Sequence, residues 1–364
     1  MSTMSNVAVL PQDTTELRIE RLSLPDPGPT QVIVKVFASG ICHSQLHQMH
    51  SPRQTPTVLG HEATGVVIKK GTDVGHVEEG DIVLVTWVPR DIKNSNKLPV
   101  TVQIQISDGM AISEDVFTWA DHTICDEQYL VKVDSNIEKD VTSIIGCAVM
   151  TGAGAVINTA NVKKNESVVI FGVGGVGLSA VVGAKIAGAY PIIAVDLNTK
   201  KLEFAKSFGA THLINASEIE PTEAIHEITK CEIGHDCFKN QVSGADFAFD
   251  CIGIKKTMEQ IIPACRSGHL GARDGGTAVL VGVPTTSVEL NALDILINEK
   301  HFVGSAGGSC TPDRDFPTFL EWHQNGDLDL EAMITERYLL KDINQATRAL
   351  ENGQIQGRAI IEFA

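Results

Sequence analysis

The chain has 364 residues, 43% of them hydrophobic, and a formal net charge of −16 from 45 acidic and 29 basic side chains. That length exceeds what one hydrophobic core usually serves and points to two domains. The acidic balance argues against nucleic acid or an anionic membrane as the main partner, since both reward clustered Lys and Arg, and the start of the chain, with no basic residue before Arg18, lacks the layout of a secretory signal, so a cytoplasmic protein is expected.

From Gln31 to Asp134 the sequence reads as short strands, VIVKVF, ATGVVI, DIVLVTW and EQYLVKVD, punctuated by Gly and Pro. This predicts a β-rich first domain over 1–150, with an irregular polar segment from Pro89 to Glu114 on its surface. Inside it, GHEATG puts His61 and Glu62 side by side just before an apolar strand. Neighbours in a strand point to opposite faces, so one of the two faces inward. On this fragment alone a hydrogen-bonded core histidine is the commoner outcome, and a partner elsewhere in the chain is needed to make it a ligand.

At Ser167 the rhythm changes. SVVIF, PIIAVD, THLIN, DFAFDCIG, TAVLVGVP and HFVGSA are apolar, β-branched runs separated by helix-length segments, which predicts a doubly wound parallel sheet in a second domain, 151–306. Glycines, Lys185 and Pro191 break the apolar stretch from Ser167 to Val195 into pieces too short to span a membrane. Gly172, Gly174 and Gly177, with Gly175 and Val176 between them, form G-x-G-x-x-G directly after a strand and at the start of a helix. That context fits a pyrophosphate at the helix N-terminus. Asp196 ends the next strand, where a carboxylate accepts from ribose hydroxyls and repels a 2′-phosphate, favouring NAD over NADP. The helical DINQATRAL and strand-like GRAIIEF are expected to return, within 307–364, to the first domain. Eight cysteines scattered along the chain do not form a disulfide framework.

Cys42 in SGICHSQLH, His61 and Glu62 in GHEATGVV, Asp81 in GDIVLV and Cys147 in IGCAVMTGAGAV together resemble the medium-chain, zinc-dependent alcohol dehydrogenase family, in order and over nearly the whole chain. The resemblance implies an α/β architecture, a GroES-like catalytic domain joined to a Rossmann cofactor domain. It implies one catalytic zinc per chain on Cys42, His61 and Cys147, with Glu62 behind the metal. Ser44 would bond the substrate oxygen and His47 would pass its proton to solvent. Thr151, Val176 and the Val281–Gly282–Val283 turn match positions that hold the nicotinamide, Lys201 an adenosine contact, and Arg358 a pyrophosphate contact. His43 stands where a pyrophosphate-binding Arg is frequent. Trp87 matches a pocket wall, which suggests an apolar or aromatic primary alcohol and its aldehyde as substrates. Family members are homodimers or homotetramers.

Three departures stand out. The segment from Trp87 to Trp119, which in many relatives holds four cysteines and a structural zinc, has no cysteine. Gln45 replaces an aspartate that orients the zinc-bound histidine, and an amide carbonyl raises ligand basicity less than a carboxylate does. Cys231, His235 and Cys237 cluster in an insertion without a visible fourth ligand, which favours a surface excursion over a metal site. Three rival readings remain. A glutathione-dependent formaldehyde dehydrogenase would use cationic help, yet no Arg lies between Arg90 and Arg266. A zinc-free quinone reductase would not need the ligand set. An NAD-binding redox sensor would not need Ser44 and His47.

Overall fold

The computed structural model describes residues 2–91, 98–113, 115–231, 233–236, 238–269 and 271–363. Its contacts divide the chain into two compact units, one of Met1–Ala148 and Thr311–Ala364, the other of Val149–Cys310.

The first unit begins with a hairpin of β1 (Thr3–Leu10) and β2 (Arg18–Leu24), which the sequence reading had not assigned. Then follow β3 (Gln31–Ile41), β4 (Thr57–Val58), β5 (Ala63–Lys70), β6 (Ile82–Val85), β7 (Val102–Ile106), β8 (Gly109–Ser113), β9 (His122–Asp126) and β10 (Leu130–Val133). One sheet runs β2-β1-β4-β8-β7. The long β3 is buried on both faces, with Ile33 packed among Val7, Ile104 and Phe117, and Val32, Val34 and Val36 packed among Val67, Val83 and Val85. Two-sided burial explains its nearly continuous apolar run.

The segment expected to be irregular from Pro89 to Glu114 is corrected in its second half. Val102–Ile106 alternates buried and exposed residues and pairs antiparallel with Gly109–Ser113. VQIQI has the period of a half-buried strand, and Ser107–Asp108, between the paired Ile106 and Gly109, supplies the two-residue turn.

The second unit holds β11 (Val168–Phe171), β12 (Ile192–Asp196), β13 (His212–Asn215), β14 (Phe247–Asp250), β15 (Thr277–Leu280) and β16 (His301–Gly304). All five neighbouring pairs are parallel, in the order β13-β12-β11-β14-β15-β16. The order reverses between β11 and β14, and ligands bind such sheets beyond the strand ends at this reversal. The helix Gly175–Ala187 follows β11 and stops at Gly188, whose φ of 76° suits glycine.

The chain then re-enters the first unit with β17 (Ile334–Leu339) and β18 (Arg358–Glu362). β18 lies antiparallel to the C-terminal half of β3 and parallel to β17, completing the order β10-β6-β5-β3-β18-β17, with β9 on the N-terminal half of β3. The helical run Val141–Thr159 is long and apolar enough to cross a membrane, but 89% of its most apolar window is buried inside the protein.

Candidate metal centre

Cys42 follows β3 and is the N-cap of the helix His43–His50, His61 lies in the segment entering β5, and Cys147 sits in a π-helical turn, Ile145–Val149. The fold brings one ligand atom from each to within 4.8 Å of the others, the only such group among the described residues. The two sulfurs are 3.8 Å apart, and both cysteines are buried. His61 Nδ1 is 2.9 Å from Gln45 Nε2, whereas His61 Nε2 is buried without a partner. The hydrogen bond from Cys147, helped by nearby Arg358 and His61, holds the Cys42 thiol well below its usual pKa against the effect of burial. The same hydrogen bond, with burial and the charge on Cys42, pushes Cys147 well above it. Two thiols and an imidazole nitrogen without a partner, with no fourth ligand among the described residues, make a set that fits an open zinc site.

Glu62 is wholly buried beside this cluster. Arg358 Nη2 donates to its Oε1, and the Ala148 backbone N–H donates to its Oε2 at 3.2 Å. A Cβ on Gly40 would collide with this carboxylate, so glycine is required there. Burial raises the pKa of Glu62 while Arg358 pulls it down. Burial likewise works against the charge on Arg358, but Glu62 and the two cysteines outweigh it and hold its pKa above the ordinary guanidinium value. The sequence reading assigned Arg358 to a pyrophosphate and did not foresee this ion pair. Arg358 Nε, also buried, has no partner.

Ser44 lies on the helix His43–His50 just past Cys42, and its Oγ is buried without a partner. The His47 ring stands 5.7 Å from the more exposed His43 ring, edge to face. The Trp87 ring is 6.4 Å from that of His61, and its Nε1 is another buried donor without a partner. A buried polar atom left unpaired costs about 1–3 kcal/mol, so each of these orphans calls for a partner.

A cleft of about 200 Å³ opens beside His61, lined among others by Gln45, Arg53, Thr57, Ile112 and Asp115. The β7–β8 hairpin supplies Ile112, so the segment without cysteines walls this cleft. Sequence reasoning missed both Arg53 and Asp115. The Arg53 guanidinium donates to the carbonyls of Pro11, Thr14, Gln48, Met49 and Ser51, and acts as a staple for the loop after the helix. Asp115 Oδ1 accepts from the Tyr129 hydroxyl at 3.1 Å.

In the second unit the glycine loop divides its roles. Gly172 has φ 84°, and a Cβ on Gly177 would collide with the Gly172 carbonyl. Gly174 has neither constraint, since its φ is −75° and its absent Cβ would meet nothing within 4 Å. Open space there, ahead of Gly175 and Val176 in the first helical turn, is what an approaching pyrophosphate needs. Asp196 accepts from the backbone N–H of Val173 at 3.1 Å and of Asn198 at 3.0 Å, which ties the second strand to the loop. Lys201 is half-buried in the helix Thr199–Phe208. Thr151 Oγ1 is buried without a partner, Val281 is buried and Val283 is exposed. Cys231 and His235 belong to no potential metal group among the described residues, and Cys237 lies outside them.

Residues 28–135 match the family described as alcohol dehydrogenase GroES-like domain, and residues 175–325 the family described as zinc-binding dehydrogenase. A class-3 alcohol dehydrogenase of Cereibacter sphaeroides is 32% identical, with 100% of both chains covered. The chain belongs to the zinc-binding alcohol dehydrogenase family. An S-(hydroxymethyl)glutathione dehydrogenase of Paracoccus denitrificans is 30% identical over 93% of this chain and 94% of its own. The crystal structure of benzyl alcohol dehydrogenase from Acinetobacter calcoaceticus superimposes with a TM-score of 0.85 at 28% identity, covering 100% of both chains. Like other zinc-binding alcohol dehydrogenases, this one is an oxidoreductase of alcohols and aldehydes that uses zinc and a nicotinamide dinucleotide.

Proposed function

We propose that this alcohol dehydrogenase interconverts a primary, apolar or aromatic alcohol and its aldehyde, using NAD. The observation that carries the reading is the convergence of Cys42, His61 and Cys147, which would hold a single catalytic zinc. Bound there, zinc would act as a Lewis acid on the substrate oxygen.

The other roles fall to the chain itself. The Ser44 hydroxyl accepts the alcohol proton, and His47 on the same helix passes it toward solvent. Trp87 provides an aromatic wall beside His61. Glu62, neutralised by Arg358, keeps a carboxylate next to the thiols without leaving a bare buried charge. The glycine loop takes the pyrophosphate, and Asp196 favours the unphosphorylated ribose of NAD.

The similar S-(hydroxymethyl)glutathione dehydrogenases raise a second reading, and the cleft weighs against it. A glutathione adduct brings carboxylates. The Arg53 guanidinium here is spent on backbone carbonyls, and Asp115 adds a repelling charge on the cleft wall. A panel of benzyl alcohol, ethanol and S-(hydroxymethyl)glutathione, each with NAD and with NADP, tests both claims. The highest kcat/KM is expected for benzyl alcohol with NAD. A preference for the glutathione adduct would sink the substrate assignment, and a preference for NADP the cofactor assignment.

A further inference from the structure

Gln45 is fully buried at the third position of the helix His43–His50. Its Oε1 accepts from the Cys42 backbone N–H at 3.0 Å, one arm of a capping box. A backbone N–H can only donate, so this bond decides which end of the amide is oxygen. The other end, Nε2, then faces His61 Nδ1 at 2.9 Å. An amide nitrogen donates and does not accept, so Nδ1 must be the acceptor, and a neutral imidazole then carries its proton on Nε2. Nε2 is the ring nitrogen left without a partner in the metal cluster.

We propose that Gln45 is a positioning residue that holds His61 in the Nε2–H tautomer, so that metal binding at this site requires a change of tautomer and the loss of one Gln45 hydrogen bond. A metal needs the lone pair of Nε2, which sends the proton to Nδ1, where it meets the amide NH₂ donor to donor. Turning the amide over relieves the conflict at His61 and recreates it at the Cys42 N–H. A carboxylate at this position has two acceptor ends and would serve both donors at once. The chain therefore holds its metal less tightly than the same ligands would with a carboxylate behind them. The inference rests on the reading of Cys42, His61 and Cys147 as zinc ligands.

Two measurements test it. The first is the ¹⁵N shifts of the His61 ring, assigned by their loss in His61→Asn, in metal-free protein and after zinc addition. The second is zinc affinity, by competition with a chromophoric chelator, for wild type and the isosteric Gln45→Glu. Metal-free wild type should show Nε2–H, converting to Nδ1–H with zinc. Gln45→Glu should show Nδ1–H without metal and bind zinc about 10–100-fold more tightly, the usual scale for such partners. Nδ1–H in metal-free wild type, or a Gln45→Glu affinity no greater than wild type, overturns the proposal. If Gln45→Glu does not fold, the wild-type tautomer before and after zinc still decides. Absence of zinc binding in both proteins would refute the ligand assignment instead, leaving the metal-free tautomer to judge Gln45 on its own.

Discussion

Glu62 and Arg358 show how one contact can matter at the scale of a single residue. Both side chains are almost entirely out of water, and each owes its charge to the other. Removing one partner of such a pair leaves an uncompensated buried charge, which costs about 3–5 kcal/mol. Arg358→Leu should therefore lower the urea midpoint sharply, while Arg358→Leu combined with Glu62→Gln should recover much of the loss. If the double variant is no more stable than Arg358→Leu, packing of the Arg stem, and not charge, is what matters. Half of this pair was legible in the sequence. The adjacency of His61 and Glu62 before a strand required one to face inward, and Glu62 is the one wholly buried. Arg358 was not legible as its partner, because pairing across nearly the whole chain is decided by strand order, which no local pattern encodes.

Between elements, Asp121 ties β1 to the start of β9. It accepts from Ser5 Oγ at 2.9 Å, from the Asn6 backbone N–H at 3.0 Å, from Asn6 Nδ2 at 2.7 Å and from His122 Nδ1 at 2.9 Å. Burial alone would raise its pKa, and these hydrogen bonds instead bring it from 3.8 to about 2. A carboxylate depressed in the folded state stabilises that state above its unfolded pKa, and the contribution is lost as pH falls through the folded value. The stability gap between wild type and Asp121→Asn should thus be full at neutral pH and shrink from about pH 4 toward pH 2. Urea unfolding across that range checks it, and a gap that does not change with pH would mean the carboxylate's charge plays no part. The elements themselves were unevenly legible. β11, β12 and β14 are buried on both faces, and their unbroken apolar runs announce a parallel sheet. The β7–β8 hairpin was missed because glutamines fill the outer positions of β7 and lower its overall apolarity, although the alternation and the two-residue Ser107–Asp108 turn were present.

For the whole molecule, the side-chain arrangement and the composition point to the same stoichiometry. Among the described residues only Cys42, His61 and Cys147 converge, and the segment from Trp87 to Trp119 has no cysteine to build a second thiolate site. Elemental analysis of purified protein should give one zinc per chain, near zero after Cys42→Ala and unchanged after Cys231→Ser. Two equivalents, one of them lost with Cys231→Ser, would make the insertion a second metal site. The first unit is built from two separated stretches of chain, and β18, which carries Arg358, lies between β3 and β17 in its sheet. The order of synthesis then has a consequence of its own. Cys42, His61, Glu62 and Cys147 leave the ribosome before any of the second unit, which is continuous from Val149 to Cys310 and can fold as soon as it emerges. The first unit must wait with a β3 edge open and Glu62 without its counter-ion until residues 358–362 arrive. In the cell, the half of the protein that is made first is the half that finishes last.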